Sequence, residues 1–231
     1  MPTVSWIMPW GQMAWLRAYD DALARAVFDA PSSYVVGWPV PGYQCTPTRV
    51  YTSMDAYCQT GGSLVSGSLV AYDLEAWAAS PMVDKQHPAS SYAHFLSLAK
   101  ARGHGVMATP GRDLVTVQGG DQVMDAGEDI NAAYLRCGIP AACAGAHVLL
   151  VQSQGAQKDL AAFTSLISGA KAQQADPNQQ LWCGLTTSTS TAAQMTAAWE
   201  AAQPMVHGCW VTIGGQAQAS VAAGFFRAIT P

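Results

Sequence analysis

Apolar runs and polar punctuation follow each other along this chain in a strand-then-helix rhythm. Residues 4–8 form a short apolar run that predicts a first strand. Residues 12–29 place Trp15, Leu16, Tyr19, Leu23, Ala26 and Val27 near helical spacing, and Pro31 ends that helix. A strand over 34–38 stops at Pro39. Residues 39–66 are rich in Pro, Gly, Thr, Ser and Tyr and predict an irregular connection with a short helix near 53–58. A strand over 69–73 follows. Beyond it the alternation is cleaner: helix 89–102, strand 104–109, helix 127–137, strand 147–152, helix 157–174, strand 181–186, helix 191–202, strand 207–213 and helix 216–228. The Thr/Ser run at 186–191 reads as a strand-to-helix loop carrying an N-cap.

Repeated strand–helix units, with strands apolar enough to be covered on both faces, predict an α/β protein with a parallel sheet. Six or seven strands are visible. The expected fold is a (β/α) TIM-type barrel, irregular or with fewer than eight regular units unless further strands lie within 39–66 or beyond the ends. The alternative is a doubly wound open sheet, but no Gly-x-Gly-x-x-Gly follows a strand and no Walker loop occurs. A single domain over residues 1–231 is expected.

Half of the 231 residues are hydrophobic and 11% are charged, which predicts a well-buried globule. The formal charge of −4, without a basic stripe, excludes nucleic acid as an expected partner. No stretch reaches the roughly 18 continuous apolar residues of a membrane span. The N-terminus lacks the positive region and small-residue exit of a signal peptide. The chain is therefore expected to be either intracellular or separated from its signal. Six cysteines offer three pairings. Cys45 and Cys58 flank a polar loop, Cys137 and Cys143 flank Gly138-Ile139-Pro140, and Cys183 and Cys209 lie inside apolar strand candidates, either as packed thiols or as a pair between strands. An even number in these places points to disulfides and an extracellular location, with the cytoplasm as the alternative.

The chemistry concentrates in residues 68–77, Ser-Leu-Val-Ala-Tyr-Asp-Leu-Glu-Ala-Trp. Alternate strand residues share a face, so Asp73 and Glu75 would point the same way about 6–7 Å apart at Cα. Two such acids resist ionising together, and one holds a proton, as general acid catalysis requires. The plainer reading is a strand-end Asp that caps the next helix beside a solvated Glu. Barrel sites form at the C-terminal ends of strands. That rule adds Arg112 and Asp113 after strand 104–109, Gln152 and Gln154 after 147–152, Trp210 near the end of 207–213, and Trp38 on the early strand. With Tyr72 and Trp77 these make an acidic, amide-bearing, aromatic-walled mouth suited to a sugar. Glu75, Asp73 and Asp113 are the catalytic candidates. Tyr72, Trp77, Trp38, Arg112, Gln152, Gln154 and Trp210 are the substrate-binding ones. The three acids could hold magnesium or calcium, but no cofactor or metal is expected. His104, His147 and His207 begin strands and belong at the opposite face.

Tyr72-Asp73-Leu74-Glu75 resembles the Asp-x-Glu strand end of barrel glycoside hydrolases, notably the chitinase-like family 18 and the family 25 lysozymes. The resemblance covers about ten residues. It implies Glu75 as the acid that protonates the leaving group and Asp73 as the carboxylate that steadies the reacting centre. The further upstream aspartates of family 18 are replaced here by Ala71 and Leu69, and its Met-x-Tyr element is not evident. A glycan-processing enzyme is thus the first expectation, with a small-molecule or glycan substrate. A lyase, cyclase or isomerase using the same acid pair, or a silent carbohydrate-binding barrel, are the alternatives.

Overall fold

Eight strands alternate with helices in the computed structural model, which describes residues 4–230. The strands are β1 (Ser5–Pro9), β2 (Tyr34–Val36), β3 (Thr46–Tyr51), β4 (Leu69–Tyr72), β5 (Gly105–Ala108), β6 (Val148–Val151), β7 (Gln180–Thr186) and β8 (Gly208–Thr212). They close into a barrel in sequence order. The pairings are parallel; β4 and β5 align from Leu69↔Gly105 to Tyr72↔Ala108, and β1 meets β8 through Ser5↔Gly208. The helices are α1 (Trp10–Tyr19), α2 (Asp21–Phe28), α3 (Met54–Thr60), α4 (Met82–Gln86), α5 (Pro88–Ala101), α6 (Ile130–Arg136), α7 (Ile139–Ala142), α8 (Leu160–Ala172), α9 (Ala192–Ala202) and α10 (Ala219–Ile229). This is the α/β TIM-type barrel that the alternation predicts, with eight strands rather than fewer.

The missing strand is β3, inside the segment read as irregular. Its residues, Thr-Pro-Thr-Arg-Val-Tyr, show no apolar run, and Pro47 cannot donate a ladder hydrogen bond. It is held instead by both neighbours, Val35↔Pro47 on one side and Val50↔Ala71 on the other. The predicted helix 12–29 is two helices. Asp20 adopts an extended backbone (φ −157°, ψ 91°), and its carboxylate accepts from the Leu23 amide at 3.0 Å, capping α2. An Asp that competes for backbone N–H groups breaks a helix that hydrophobic spacing alone would continue. The cap expected in the Thr/Ser run is Thr191, in a reciprocal capping box with Gln194.

The chain divides into two compact units, Met1–Thr48 with Ser153–Ile167 and Trp182–Pro231, and Arg49–Gln152 with Ser168–Leu181. The first is packed around aromatic rings. Trp6 lies 4.9 Å from Trp199 and edge-on to Phe225 and Phe226, and Phe28 meets Phe226 at 5.6 Å. The second has its own ring cluster, in which Tyr72 of β4 stacks on Phe95 of α5 at 4.3 Å and Tyr57 of α3 meets Phe95 at 4.8 Å. Such ring pairs contribute about 0.5–1.5 kcal/mol beyond their buried area.

All six cysteines are free thiols, which overturns the expected disulfides. Cys137 aims at the Val123 carbonyl and Cys143 at that of Ile139, so the loop between them is closed by backbone and not by sulfur. Cys183 and Cys209 are in register across β7 and β8 and hydrogen-bond to each other as thiols; burial pushes Cys209 well up. The cysteines therefore carry no argument for an oxidising compartment. Among the described residues, no helix is long and apolar enough to cross a membrane.

Candidate active site

The last residues of β4 leave the chain extended past the strand's end. The Asp73 amide donates to Tyr51 O at 2.8 Å, and the Gly111 amide donates to Leu74 O at 2.8 Å. Side-chain alternation therefore continues: Leu74 is buried, while Asp73 and Glu75 are half-buried on the other side. Gln152, one residue past β6, brings the two acids together. Its Nε2 donates to Asp73 Oδ1 at 2.8 Å, to Glu75 Oε1 at 2.9 Å and to Thr109 O at 3.0 Å. The Thr109 hydroxyl also donates to Asp73 Oδ1, at 2.7 Å. Both donors thus sit on one oxygen of Asp73.

Burial, and then the charge of Glu75, raise the Asp73 carboxyl from the ordinary 3.8 to about 7. Glu75 is raised by burial and by Asp113, and is drawn down by its bonds from Gln152 and Asp73. Both carboxyls are thus pushed toward the protonated form, Asp73 the more strongly buried of the two.

Asp113 completes the acid cluster, its Oδ1 accepting from the Ala76 amide at 3.1 Å. Gly111 permits the approach. A Cβ there would lie 2.4 Å from Asp113 Oδ1 and 2.7 Å from Glu75 Cγ. Trp77 stands at the rim, 44% exposed, with its Nε1 donating to Ser80 Oγ at 3.0 Å. Lys85 Nζ donates to Trp77 O at 2.9 Å and fixes the loop that carries the indole.

Other predicted residues lie elsewhere. Tyr72 is fully buried in the ring stack with Phe95, and its hydroxyl donates to Asp84 at 3.1 Å; it supports the helix layer and is not a substrate wall. Arg112 turns to Asn131, donating to its Oδ1 at 2.5 Å, and burial holds its pKa below the ordinary value. Trp38, Gln154 and Trp210 belong to the other unit. There Trp38 is 63% exposed, the Gln154 amide lies over Gly184, and Trp210 is half-buried on β8.

Thr109, Gly111, Ser80 and Lys85 were missed. Thr109 carried a usable signal, since it ends a strand two residues before a glycine; the other three are tied to the site by contacts that cross the sequence. His104 and His147 flank the N-terminal ends of β5 and β6, at the opposite face from the acids, as expected. Among the described residues no three His, Cys, Asp or Glu side chains are grouped so as to hold a metal ion. No family model matches the sequence, and no curated protein matches it.

Proposed function

We propose that the protein is an acid–base enzyme of the glycoside-hydrolysing type, with Glu75 as the acid that meets the leaving oxygen and Asp73 as its proton-holding partner. The observation that carries this reading is the convergence of two half-buried, upward-shifted carboxyls on the one Gln152 amide. A carboxylic acid kept protonated near neutral pH beside an ionised carboxylate is what protonating a leaving alkoxide requires. As the glycosidic C–O bond breaks, the one proton of the couple passes from Asp73 to Glu75 and from Glu75 to the leaving oxygen. Asp73 is left as a carboxylate beside the cationic centre. Asp113, the third acid of the cluster, serves as the base for water, whose proton then restores the couple. Trp77 is an exposed aromatic beside the acids, against which the C–H face of a sugar ring would pack.

The test is release of nitrophenol from a panel of 4-nitrophenyl glycosides, and of reducing ends from chitin oligosaccharides, by the wild type and by Glu75→Gln. Turnover that disappears in the variant supports the assignment. Wild-type rates in a folded Glu75→Gln protein overturn it. Binding of the oligosaccharides without hydrolysis would place the protein among silent glycan-binding barrels instead.

A further inference from the structure

The N-terminal end of β5 and β6 carries a concave feature whose lining includes none of the acid cluster. It is an open-mouthed cavity of about 390 Å³ between α5 and the turn that leads into β6. Its walls include Leu96 and Val106, and its polar lining comes from Ser97, Lys100, His104 and His147. Leu96, Ser97 and Lys100 recur at helical spacing and share one face of α5.

The hydrogen-bonding pattern orients this lining toward donation. His147 Nδ1 accepts from the Val106 amide at 3.1 Å, so the neutral ring carries its hydrogen on Nε2. Nδ1 of His104 is taken up by the Tyr57 hydroxyl at 2.8 Å, which leaves Nε2 as its remaining polar atom. Lys100 forms no ion pair among the described residues and brings three N–H groups. Arg102 lies 4.7 Å over the Tyr57 ring, behind His104, and adds positive potential. No carboxylate lines the cavity, in a chain whose formal charge is −4. A lysine, two imidazoles and a hydroxyl beside apolar walls are complementary to an anion with an apolar body. A cation is disfavoured by Lys100.

We infer that this cavity binds a small organic anion, a phosphate monoester or a carboxylate on an apolar skeleton, at a site separate from the acid couple. The probes are phenyl phosphate, benzoate and neutral phenol, titrated into the full-length protein while the histidine ring resonances are followed by NMR. His147→Gln assigns one of those resonances. The expected result is a saturable shift of His104 and His147 with at least one of the two anions at concentrations up to about 10 mM, and about tenfold weaker binding in Lys100→Met. The stronger of the two anions identifies the head group. Lys100 is exposed at the end of α5, so the variant keeps its fold, checked by an unchanged circular dichroism spectrum. Absence of saturation with both anions, equal binding by Lys100→Met, or an equal response to phenol overturns the inference.

Discussion

The amide nitrogen of Gln152 lies 2.8 Å from Oδ1 of Asp73, a partner 79 residues away in sequence, and the same nitrogen reaches Glu75. One neutral donor between two acids stabilises the ionised member without neutralising the pair, as a lysine or arginine would. Both carboxyls therefore stay raised above their ordinary values.

That placement makes Glu75→Gln a clean variant. The fold should persist, because Glu75 is itself raised by burial and its neutral amide costs little to bury. Turnover should fall by about 10²–10⁴-fold, the range of a lost general acid. Steady-state rates beside a thermal melt check both halves.

Asp73→Asn should stabilise the protein at alkaline pH. The asparagine oxygen can accept from Thr109 and Gln152 where Oδ1 does, and its neutral NH₂ removes the repulsion with Glu75. Asp73 has a folded pKa raised above its unfolded value. Its protonated form stabilises the fold fully below pH 4, and that contribution is lost as pH rises through about 7. The unfolded chain binds fewer protons across that window, so wild-type stability falls as pH rises. The variant should gain roughly 2–4 kcal/mol over wild type at pH 8 and nothing at pH 4. Denaturant melts at the two pH values decide it, and turnover should drop because the proton reserve is gone.

Gln152→Leu should move the Glu75 titration upward. The bond from Gln152 is the largest influence holding that carboxyl down. A carbon-13 NMR titration of the glutamate carboxyls reads this shift without reference to any substrate, and an unmoved Glu75 resonance would contradict the geometry.

Gly111→Ala should cost about 1–3 kcal/mol, the range of an overpacked site, because the new methyl meets Asp113 and Glu75 at once. Adding Asp113→Ala to that background should restore part of the loss. Equilibrium unfolding of the single and double variants provides the comparison.

Tyr72→Phe tests the removal of this ring from the substrate wall. Asp84 is 3% exposed and would lose a donor, while its contact from Ser91 remains. Stability should fall by about 1–2 kcal/mol with the kinetic constants unchanged. A raised KM would return Tyr72 to the mouth.

Much of this was legible along the chain. The period-two placement of Asp73 and Glu75 was enough to put them on one side, and the same parity argues against Tyr72, since strand neighbours face opposite ways. β3 was not legible, because Pro47 and Arg49 erase the apolar run and its pairing comes from both neighbours. The break at Asp20 was hidden because hydrophobic spacing does not register a side chain that caps a backbone amide.

By itself, the order of apolar and polar residues determined the strand–helix alternation, the parallel arrangement and the shared face of the two acids, because all three follow from local periodicity. Tertiary structure alone decided which donor joins those acids and how far burial raises them. It also decided that the six thiols stay unpaired. Burial and the meeting of side chains from distant strands set those outcomes, and neither is a property of any single segment.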